Sequence, residues 1–72
     1  MEKRTAEELI TYKLRRIQKL ARKILRRWNE ISADNFLAKA RDGTHKNAEN
    51  DAIDLEQLLL DEEKYKQLLE RL

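Results

Sequence analysis

Seventy-two residues with 16 Lys and Arg, 14 Asp and Glu, one His, one Gly and neither Cys nor Pro make one small domain at most. A chain this size buries only about 60% of the surface its unfolded form exposes, and the lack of cysteine excludes disulfides and thiolate metal sites. Regular helix packing and oligomerisation are what remain to stabilise it, and 42% charged against 6% aromatic residues argues against a β-rich fold. The expectation is an all-α helical bundle: two long antiparallel helices bridged by a short one and completed by dimerisation.

The chain is organised around Thr5 to Ile31, where Ile10, Leu14, Ile17, Ala21, Ile24, Trp28 and Ile31 alternate in steps of four and three. That is the seam of a helix packed lengthwise on others. Thr5 and Glu8 fit a capping box, so the spacing predicts a first helix over about 6–30. Trp28 reads as a core anchor near its end.

Ser32 is a suitable cap for a short helix over about 33–42, whose Ala33, Phe36, Leu37 and Ala40 share one face, with Phe36 as the lid of a small core. Gly43 stands where a left-handed residue often ends a helix. The segment Asp42 to Asp51 is polar, and Thr44, Asn47 and Asn50 are alternative caps for a third helix over about 47–71. His45, the one histidine, is expected to be a solvated loop residue, since no second nitrogen or sulfur ligand supports a metal site there.

In the third helix Ala48, Ala52, Leu55 and Leu59 form one apolar stripe, and Leu58, Tyr65, Leu68, Leu69 and Leu72 form another displaced around the axis. Ile53 and Leu60 point away from both, and their spacing of seven residues marks a self-association seam or a face for a partner helix.

Charge divides the chain. Met1 to Arg41 has 12 basic against 5 acidic residues, a surplus of +7; Asp42 to Leu72 has 4 against 9, a deficit of −5. Lys13, Arg15, Arg16, Lys19, Arg22, Lys23, Arg26 and Arg27 spread over the half of the first helix opposite its seam, with Tyr12 among them. Such a face can track a phosphate backbone and release its counterions, while Tyr12 offers a ring for stacking. The bland alternative is that these cations are solvated, or paired with Asp54, Glu56, Asp61, Glu62, Glu63 and Glu70 of the third helix.

No serine lies near His45 at a nucleophile-pair spacing, and a single glycine excludes a glycine-rich phosphate loop. The expectation is therefore a non-enzymatic binding protein without cofactors. No apolar run approaches bilayer length and MEKRTAEEL is not a signal peptide, so a cytoplasmic location is expected. Its partner would be nucleic acid or another acidic molecule. A self-associating protein adapter is the alternative, and membrane attachment ranks last because it would pull the seam of the first helix from the core. The regular spacing would also suit an engineered bundle, although DGTHKNAEND and the off-face Ile53 are untidy for one.

Overall fold

A computed structural model describes residues 2–72, and they form three helices: α1 (Lys3–Arg27), α2 (Ala33–Asp42) and α3 (Glu49–Arg71). The described chain is all-α, with no strand, and none of these helices is long and apolar enough to cross a membrane.

α1 begins earlier than its capping signal. Thr5 lies inside the first turn, Glu2 precedes the helix without a side-chain cap bond, and Glu8 faces Arg4 at 3.7 Å instead of closing a capping box. Nothing in Lys3 or Arg4 disfavours helix, so the ladder extends outward until the Ala6 N–H reaches the Glu2 carbonyl at 3.0 Å. The other end is set by Asn29, whose φ of 54° puts it in the left-handed region. The Asn29 N–H then donates to the Arg26 carbonyl at 3.1 Å and the Glu30 N–H to Leu25 at 2.8 Å. This pair of bonds is a Schellman closure. Ile31, expected on the seam, consequently lies beyond the helix and is 98% exposed.

α2 matches its predicted span. The Ser32 hydroxyl accepts from the Asn35 N–H at 3.5 Å, and Gly43 ends the helix at φ 86°. After it, Asp42 Oδ1 accepts from the backbone N–H and hydroxyl of Thr44, at 2.9 and 2.6 Å. None of Thr44, Asn47 and Asn50 caps α3. Ala48 occupies that position without a side-chain bond, Asn47 turns the chain at φ 63°, and Asn50 is already helical.

α1 and α3 run antiparallel. Arg27 bonds Asp51 near the closed end, and Lys13, fourteen residues back along α1, lies over the ring of Tyr65, fourteen residues forward along α3. The two contacts are therefore about 21 Å apart on each helix. α2 packs against α3 at the closed end, with the Leu37 and Ala40 side beside Ala52 and Ile53.

Burial is uneven along this hairpin. Ile24, Phe36, Ala48 and Leu55 form the buried core, and all four sit where α2 adds a third layer. Further out, Ile10, Leu14, Ile17, Tyr65, Leu68 and Leu69 are only half-buried, because two helices alone cannot enclose their seam. The molecule is a rod of 47 × 17 × 17 Å, closed at one end and thinly covered at the other.

Candidate functional site

Seven of the eight proposed phosphate-binding cations form one free surface. Lys13, Arg15, Arg16, Lys19, Arg22, Lys23 and Arg26 are exposed, and among the described residues none pairs with a carboxylate. α1 is unbroken through this stretch, so steps of three and four residues carry the cations other than Lys13 along its outer side. Tyr12 is exposed in their midst and lines an open groove with Arg15, Arg16, Lys19 and Leu20. Lys13 stands at one border of the face, 5.8 Å above the ring of Tyr65.

Arg27 is the exception. Its Nη1 donates to both oxygens of Asp51, at 3.1 and 2.9 Å. This is the one ion pair between α1 and α3 among the described residues, and its acid is not one of the six expected to serve as partners. Asp54, Glu56, Asp61, Glu62, Glu63 and Glu70 make no salt bridge to α1. The Lys66–Glu62 and Arg4–Glu8 pairs within the helices are long, at 3.9 and 3.7 Å, and open to solvent on at least one side. Mutual pairing of the two halves therefore leaves the basic face largely unoccupied.

A second polar cluster lies at the closed end. The indole N–H of Trp28 donates to Asp51 Oδ2 at 2.8 Å. Trp28, Phe36 and His45 stack as a tilted aromatic trio, with ring centres 5.3 to 5.9 Å apart. His45 is thus half-buried rather than solvated. The left-handed turns at Gly43 and Asn47 fold its loop back over the core, where its Nε2 lies 2.9 Å from Glu30 Oε1. The same oxygen accepts from Lys39 Nζ at 2.7 Å.

The carboxylates of this cluster are held in their charged form. Hydrogen bonds from Lys39 first and His45 second pull Glu30 below its ordinary value of 4.5. The Trp28 bond, followed by Arg27, lowers Asp51 from 3.8, and the Thr44 hydroxyl and N–H lower Asp42. No buried side-chain nitrogen or oxygen among the described residues lacks a partner. Apart from the local Asp42–Thr44 bonds, every short bond here joins segments distant in the chain, so the cluster fastens the loop and helix ends together. Sequence reasoning missed it, and the one local sign was three residues tolerant of left-handed backbone, Asn29, Gly43 and Asn47, bracketing the segment.

Ile53 and Leu60 are 64% and 66% exposed on the outer side of α3, as their phase implies. Comparison with protein-family models, curated proteins and solved structures returns no match to this chain.

Proposed function

We propose that the chain is a non-enzymatic binding protein that uses the outer face of α1 to bind nucleic acid. The observation that carries this reading is the row of seven exposed cations without carboxylate partners, alongside an opposite helix rich in acids. Solvation alone would not require cations to be gathered on one helix and acids on another. A rigid helix holds such a row at fixed intervals, so phosphates can replace bound counterions with little reordering of the protein. Tyr12 adds a ring on which a base or ribose can rest. The sequence matches no motif that sets a helix in a groove to read bases, so recognition is by charge and shape. In this reading α2 bridges the closed end of the hairpin and dimerisation covers its open half.

The test is binding of labelled duplex DNA and structured RNA across a salt series. Affinity should fall steeply with salt, and should be lost when Arg15, Arg22 and Arg26 are all changed to Gln. Absence of binding at low salt would refute the reading.

The exposure of Ile53 and Leu60 favours a second reading, a protein-binding adapter whose α3 receives a partner helix. Changing both to Ala should then weaken capture of that partner without reducing helicity. Loss of the fold would count against it.

A further inference from the structure

The two long helices share a side that α2 leaves open, and its chemistry matches itself. On α1 this side carries Leu9, Lys13, Arg16 and Leu20, at i, i+4, i+7 and i+11. On α3 it carries Asp54, Leu58, Asp61, Tyr65 and Leu68, in the same rhythm. Two contacts place the stripes side by side: Leu20, Ile24, Asp54, Gln57 and Leu58 line one groove, and Lys13 covers Tyr65. α2 lies on the opposite flank of α3, against Ala52 and Ile53.

On α1 this side is apolar at its ends and charged between them, and on α3 the acids Asp54 and Asp61 alternate with Leu58, Tyr65 and Leu68. Leu9 and Leu20 are 47% and 40% exposed, so the α1 stripe is not consumed by the hairpin. Its cations stand on α1 and its acids on α3. A copy of the same surface, turned by a two-fold axis parallel to the helices, therefore meets opposite charge at each helix. That axis also sets α1 of one copy beside α3 of the other at the level the two helices already share within a chain. Since Lys13 is level with Tyr65, Arg16 then comes within one residue, about 1.5 Å along the axis, of Asp61 of the second copy, and Leu20 opposite its Leu58.

We infer that this side is where a second copy of the chain docks, producing an antiparallel four-helix bundle with α1 and α3 alternating around it. Charge complementarity selects a second copy as the occupant, and the four-residue buried core supplies the reason for it. The dimer closes, because each copy presents the same patch to the other. The dimer takes Lys13 and Arg16 from the border of the cationic row and leaves Arg15, Lys19, Arg22, Lys23 and Arg26 on the outer face, so the inference does not depend on nucleic-acid binding, and the measurement below contains no nucleic acid.

The test is sedimentation equilibrium of the full chain over a wide concentration range, with helicity followed by circular dichroism. The native chain should sediment at twice its mass of 8.7 kDa. Leu20→Glu should return it to a single chain. Arg16→Glu alone and Asp61→Lys alone should each weaken the dimer by about tenfold, because the two-fold repeats every like-charge contact. Arg16→Glu with Asp61→Lys in one chain should restore the dimer to within about threefold of native. If Leu20→Glu loses helicity, the exposed charge series decides alone. A native chain that stays monomeric overturns the inference. So does a dimer indifferent to the charge series, or one that Ile53→Ser with Leu60→Ser dissociates, since those residues lie on another face.

Discussion

The indole N–H of Trp28 donates to the Asp51 carboxylate at 2.8 Å, which bonds the residue closing α1 to the first turn of α3. Asp51 also takes Arg27, so one carboxylate gathers two donors from the end of the neighbouring helix. Its position in the first turn of α3 is favourable for a negative charge as well.

Trp28→Phe keeps most of the ring and removes the donor. Hydrogen bonds to charged groups contribute about 1.5–3 kcal/mol, so a loss of that order is expected in urea unfolding with an unchanged denaturant slope. Trp28→Ala should cost more, because the contacts with Phe36 and His45 go too.

Acid should loosen the same end. Glu30, Asp42 and Asp51 all have folded values below their ordinary ones. Their contribution is therefore complete above the ordinary carboxylate range and is lost as pH falls through the lowered folded values. The urea midpoint should decline between about pH 5 and pH 3 from these groups, while between about pH 6 and pH 8 they leave it level. Glu30→Gln and Asp51→Asn should each make the acid decline shallower.

Arg27 separates the two roles of the basic residues. Arg27→Gln should lower stability through Asp51 while reducing nucleic-acid affinity little. Arg22→Gln and Arg26→Gln should do the reverse, each reducing the magnitude of the salt slope by about one. Parallel thermal melts and binding titrations read both effects.

The turns carry a third kind of dependence. Gly43 has φ 86° and open space where a Cβ would stand, so Gly43→Ala meets no neighbour and costs only backbone strain. About 1 kcal/mol is expected by chemical denaturation. Asn29→Ala should cost a similar amount for the same reason, whereas Asn29→Gly should stay within about 0.5 kcal/mol of native.

The helices and their apolar phase were legible because helical periodicity is a local property. Ile24, Phe36 and Leu55 can be assigned to a core from spacing alone. The Ser32 cap and the Gly43 stop were legible on the same grounds. The end of α1 was not, since Asn29 is compatible with helix and adopts the left-handed form only in a closure that the following residues complete. That single residue decides the fate of Ile31, which a continuing helix would have put on the seam. His45 escaped for a different reason. Its place between Trp28 and Glu30 depends on two turns and two helix ends acting together, and no window of sequence contains that geometry. The basic face could be read from sequence as a surface, but its lack of carboxylate partners required the positions of the acids on α3.

The concentration of the buried core at one end also orders the folding reaction. The contacts that fix Trp28, Phe36 and Asp51 span a short loop and a short helix, so they close with modest entropy loss, whereas seating Lys13 over Tyr65 requires the intervening chain to be arranged first. The hairpin is therefore expected to zip from its loops toward its termini, so in stopped-flow kinetics substitutions at the closed end should slow folding, whereas those in the open half should chiefly speed unfolding.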